Sequence, residues 1–93
     1  MLENKGTRIL DFYADWCQPC QRIKPFIDKL EAEYDVPVLK IDADESVELI
    51  RKFNVSGLPT VLLVDNDDNI IKAVNGVKPK SVYEDLFELS KQF

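Results

Sequence analysis

Apolar side chains recur along this chain in short blocks that alternate between two periodicities. Positions 8–13 carry Ile9, Leu10, Phe12 and Tyr13, apolar on both faces of an extended chain. That pattern predicts a central strand, interrupted by one charge at Asp11. From 19 to 34, Ile23, Phe26, Ile27 and Leu30 fall on one side of a 3.6-residue repeat and predict an amphipathic helix. Pro25 lies inside that helix and should kink it. Positions 36–42 predict a second strand, so the first three elements form a right-handed βαβ unit with parallel strands. Val47, Leu49 and Ile50 predict a short helix over 45–53, with Asp44 as its N-cap. After a loop at 54–59 come an apolar strand at 60–65, a turn at 66–68 and a returning strand at 69–75, a hairpin. The last helix runs from 79 or 81 to 92. Val82, Leu86 and Leu89 mark one face of it, with Phe87 and Phe93 beside them.

Strands alternating with helices predict one layered α/β domain spanning residues 1–93. A chain this long buries about two-thirds of its unfolded surface, enough for a single core. The longest apolar runs are four or five residues, such as 60–64. A membrane span needs about 20, so none is expected. Residues 1–6 are polar and mixed in charge, and no signal peptide is visible there. Together with the cysteine chemistry below, this points to a reducing, cytoplasmic setting.

Net charge is −5 and Lys and Arg form no run, which argues against binding nucleic acid along its phosphates. Histidine is absent. Cys–His nucleophilic pairs and His-ligated metal sites therefore drop out. Proton transfer near neutral pH must use a perturbed carboxylate, thiol or lysine.

The two cysteines, Cys17 and Cys20, are spaced C-x-x-C. A disulfide across so short a loop constrains little of the chain, so stabilisation is a poor explanation for it. A closed zinc site needs about four ligands, and a second thiolate pair is missing. Half a metal site or inert core thiols are the bland alternatives. Dynamic redox chemistry fits better, because the pair follows a strand and opens a helix within a βαβ unit. A thiol there faces unsatisfied N–H groups and the positive end of the helix dipole, which favour the nucleophilic thiolate. No metal and no cofactor is needed for such chemistry.

The stretch Trp16-Cys17-Gln18-Pro19-Cys20 resembles the active-site signature of the thioredoxin family, usually Trp-Cys-Gly-Pro-Cys. The resemblance covers residues 8 to 93. Pro25 falls where the family kinks its active-site helix, and Lys40 matches the lysine near its buried aspartate. Gly57-Leu58-Pro59-Thr60 matches the cis-proline loop, and Gly76 the glycine after the last strand. The resemblance implies that Cys17, the more exposed thiol, attacks a substrate disulfide and that Cys20 resolves the mixed disulfide. Asp11 would be a buried carboxylate of raised pKa serving Cys20, tuned by Lys40. Pro59 would be cis beside Cys17. Trp16, Pro19, Leu58 and Gly76 would form the substrate-binding surface. The implied partners are disulfide-containing proteins and a reductase protein that re-reduces the pair, with the chain a monomer.

Simpler readings stand beside several of these roles. Asp11 could be a carboxylate tucked toward a strand end, Lys40 a solvated edge-strand lysine, Pro59 an ordinary trans proline and Trp16 a core residue. Phe12, Tyr13, Phe26 and Phe53 read as core. The acidic residues of 65–68 read as a solvated turn, since their spacing does not suit calcium.

Two departures matter. Gln18 stands where the family has glycine, which bears on the reduction potential. Only seven residues precede the first strand, where the family usually has a strand and a helix. The expected sheet is therefore four-stranded and mixed, in the order 36–42, 8–13, 60–65, 69–75, flanked by three helices. Strand 36–42 would be an edge, with an exposed apolar patch or a partner on the face covered by the short helix. An oxidant or isomerase of the same fold, or a binding subunit with incidental thiols, remains as an alternative function.

Overall fold

Elements follow the chain as β1 (Arg8–Tyr13), α1 (Gln18–Tyr34), β2 (Val38–Asp42), α2 (Val47–Lys52), β3 (Thr60–Val64), β4 (Ile70–Asn75) and α3 (Lys80–Ser90), in a computed structural model that describes residues 6–93. The reading of the first residues as free of a signal peptide falls on 1–5, outside the described residues, apart from Gly6. The four strands form one mixed sheet in the order β2-β1-β3-β4. β1 runs parallel to β2 and antiparallel to β3, and β3 and β4 form the hairpin. Order and directions match the expectation. Among the described residues no element precedes β1, and β2 has β1 as its one neighbour.

Alternation along the central strands divides the core in two. Ile9, Val61 and Leu63 face α1 and α3, packing against Ile23, Ile27, Leu30, Tyr83, Leu86 and Phe87. Leu10, Phe12, Leu62 and Val64 face α2 and meet Phe53, with Leu49 and Ile50 partly buried. Burial on both faces is why β1 and β3 read as continuous apolar runs. The α2 face has the thinner cover: α2 buries no residue completely, and Leu39 stands 49% exposed. Leu39, Ile41 and Leu49 line a shallow depression there.

Most element boundaries move by one or two residues, and those of β2 and α2 have identifiable causes. β2 begins at Val38 rather than 36, because Pro37 has no N–H to donate. Its carbonyl still accepts from the Ile9 amide at 2.9 Å. α2 is shorter than expected. Ser46, not Asp44, holds its N-cap position, and its side chain makes no capping bond. Asp44 is instead committed to Trp16, as described below. In the hairpin turn Asp65 accepts from the Asp67 and Asn69 amides, and Asp68 pairs with Arg8 and Lys52. No helix among the described residues is long and apolar enough to cross a membrane.

Candidate active site

β1 ends at Tyr13, and the chain turns through Ala14, Asp15 and Trp16 into α1. Cys17 is the N-cap residue of that helix, with extended backbone (φ −87°, ψ 100°). Its Sγ accepts a hydrogen bond from the Cys20 amide at 3.2 Å. The first amides of a helix have no intrahelical acceptors, so this sulfur takes the place a capping serine oxygen would occupy. Pro19 lies in the first turn, where its missing N–H costs nothing. Cys17 and Cys20 are joined as a disulfide, with Cα atoms 5.3 Å apart.

Against expectation, Cys17 is not the more exposed of the pair. The two residues are 4% and 5% exposed. Both pack with Ala14 under Tyr13 and Leu58, so access to Cys17 depends on the surface around it. That surface includes Trp16, which is 67% exposed rather than packed in the core. Its indole Nε1 donates to Asp44 Oδ2 at 2.9 Å, so the loop after β2 fixes the ring. Pro19 is half-buried beside the pair.

Leu58 brings the second loop to the cysteines. The Leu58-Pro59 peptide bond is cis. The Pro59 carbonyl accepts from the Gly76 amide at 2.8 Å, and Gly76 has a φ of 78°, which suits glycine. Thus the Leu58-Pro59 pair and Gly76, 17 positions beyond Pro59 in sequence, are held side by side.

Behind Cys20 lies an open cavity of about 260 Å³, lined by Asp11, Tyr13, Asp15, Cys20, Gln21, Lys24 and Lys40. Tyr13, read as core, lines this cavity at its half-buried end of β1. Asp11 is 5% exposed, and burial pushes its pKa up to about 6. Lys40 pulls the value down, Asp28 raises it and Lys24 lowers it. Lys40 stands opposite Asp11 in the β1–β2 register. Its ammonium, however, bonds Asp28 Oδ1 at 2.8 Å, while Lys24 holds Asp28 Oδ2 at 2.8 Å.

Sequence reasoning missed the contacts of Asp28, Lys24 and Asp44 at the site. The Lys24/Asp28 spacing of four on a helix was a usable signal. Asp44 acts through a contact between distant segments. Among the described residues no cluster of three or more metal-ligating side chains occurs.

The Thioredoxin family model matches residues 1–88. Thioredoxin of Bacillus subtilis is 36% identical over 85 residues, which cover 89% of this chain and 81% of that protein. The chloroplastic M-type thioredoxin of Spinacia oleracea is 36% identical over 90 residues, 95% of this chain and 49% of that one. A mutant thioredoxin from Halobacterium salinarum superposes with a TM-score of 0.83 at 35% identity, covering 91% of this chain and 74% of that one.

Proposed function

The chain belongs to the thioredoxin family and is a thiol–disulfide oxidoreductase that reduces protein disulfides; from that premise we propose that it works as a cytoplasmic monomer, one domain over residues 1–93, with the following division of labour. The Cys17 thiolate attacks one sulfur of a substrate disulfide. A mixed disulfide forms and one substrate thiolate leaves. Asp11 then takes the proton of the Cys20 thiol, whose sulfur attacks Cys17. The second substrate thiolate departs, two electrons have passed to the substrate, and the Cys17–Cys20 disulfide remains. A reductase protein returns two electrons to the pair, and the proton on Asp11 is shed through the cavity. Lys40 tunes Asp11. Trp16, Pro19, Leu58, Pro59 and Gly76 receive the substrate chain.

The observation that carries this reading is Cys17 Sγ at the N-terminus of α1, 3.2 Å from the Cys20 amide. A donor aimed at sulfur favours its thiolate and so its nucleophilicity. The test is equilibration in defined dithiol and glutathione buffers with quantification of the disulfide. A potential near about −270 mV is expected for a reductase. A value near about −180 mV would transfer the role to an oxidant or isomerase, with Gln18 the first residue to revert to glycine. Cys17→Ser with Cys20→Ser should abolish reductase activity. A cellular function surviving that double change would mark a binding subunit instead.

A further inference from the structure

Tyr83 on α3 is the bulkiest of the side chains that the described fold buries completely. It packs in the core with Ile9, Val61 and Val74. A hydroxyl in such surroundings needs partners. Tyr83 finds both on one short segment outside its helix: its oxygen accepts from the Lys78 amide at 3.2 Å and donates to the Gly76 carbonyl at 3.1 Å. Gly76 in turn donates its own amide to Pro59. A continuous line of hydrogen bonds therefore runs from the core, through the turn at 76–78, to the cis-proline loop.

No other side chain among the described residues hydrogen-bonds this turn. The N-cap of α3 is Pro79, whose side chain makes no capping bond. Val77, between the two anchored peptide groups, points outward and is about half exposed. Without the phenolic oxygen, the left-handed Gly76 and the residues after it would be held by one backbone bond to Pro59.

We propose that Tyr83 is a positioning residue for substrate: its hydroxyl holds the 76–78 turn against the Pro59 loop, so that the docking wall is formed before a disulfide-bearing peptide arrives. This rests on the reading of Leu58, Pro59 and Gly76 as that wall. A surface fixed in advance loses less conformational freedom on binding, and the gain appears in substrate affinity rather than in the sulfur chemistry.

Tyr83→Phe removes one oxygen and keeps the ring. With insulin as the protein disulfide, KM is expected to rise about fivefold while kcat is unchanged, the loss of one or two neutral hydrogen bonds. Reduction of the small disulfide 5,5′-dithiobis(2-nitrobenzoic acid), which needs no wall, should keep its rate, and the potential of the pair should not move. Equal losses on both substrates, or an unchanged KM for insulin, overturn the proposal. Leu58→Ser separates the two levels. If it raises KM for insulin and Tyr83→Phe does not, the role of Tyr83 fails alone; if neither does, the docking wall fails and Tyr83 with it. In the unmodified protein, hydrogen exchange supplies a check that needs no variant. The Lys78 amide should exchange at least about tenfold more slowly than an unstructured amide, and free exchange there overturns the proposal.

Discussion

A carboxyl group at position 11 sits where water scarcely reaches it, on a strand whose other side chains are apolar. No hydrogen bond to the Asp11 carboxylate occurs among the described residues, and burial outweighs the pull of Lys40, so the pKa rises from 3.8 to about 6. Between those two values the folded chain binds more protons than the unfolded one. Stability therefore falls as pH rises from about 4 to 6 and stays lower above that range, by about 3 kcal/mol at most. Asp11→Asn is expected to be more stable than the parent at pH 8 by up to that amount and equal to it near pH 3. Urea titrations at the two pH values check this. The same substitution should slow resolution, so that the mixed disulfide between Cys17 and substrate accumulates in single-turnover quenches. In the parent, the resolution rate should fall as pH drops through about 6, because protonated Asp11 cannot accept a proton. At this scale the sequence was readable: a lone acid in an apolar strand already signalled a perturbed group. The Trp16–Asp44 bond was not readable, because 28 residues separate the partners.

Helix α1 does two things for the site. Its first turn carries the cysteines, and its third turn reaches sideways to the sheet edge through Asp28 and Lys40. These are exposed ion pairs, worth about 1 kcal/mol or less in stability. Their effect on Asp11 is separable from that small energy. Asp28→Asn removes a negative charge near the cavity and frees Lys40 to approach Asp11. Both effects lower the Asp11 pKa, and Lys24→Gln should raise it. Carbon-detected titration of the Asp11 carboxyl reads both directions. Opposite shifts would mean that Lys40 does not face Asp11 once released. The span of α1 was legible from its apolar spacing. The placement of C-x-x-C also put a thiol against the unsatisfied N–H groups at the helix start; which amide the sulfur meets, that of Cys20, only the structure decided.

Across the whole molecule, the two faces of the sheet are covered unequally. α1 and α3 share one face, and the other is covered by α2 and, largely, by Phe53 just after it, whose ring meets Phe12 edge-on at 6.2 Å. Phe53→Ala is expected to cost about 3–5 kcal/mol, the range for removing a buried aromatic. Domains of this kind have about 5–15 kcal/mol in total, so a thermal melt should show a large drop. Leu39→Thr, on the half-exposed edge strand of the same face, should change stability by about 0.5 kcal/mol or less. A much larger loss would mean that another surface covers Leu39 in solution, and sedimentation would then reveal it.

The order of elements, the parallel β1–β2 unit, the β3–β4 hairpin and the identity of the redox pair follow from local facts: period, turn composition and the placement of C-x-x-C between a strand and a helix; the antiparallel β1–β3 pairing was expected from the family resemblance. Those facts are carried by residues near one another in the chain, and neighbouring residues feel each other whatever the rest does. Tertiary structure alone decided that Cys17 is as buried as Cys20, that Asp44 holds an indole instead of capping a helix, that Lys40 is drawn to Asp28, and that a tyrosine on the last helix ties Gly76 and Lys78. Burial and hydrogen-bond partners belong to surfaces that exist only once the sheet has brought distant segments together.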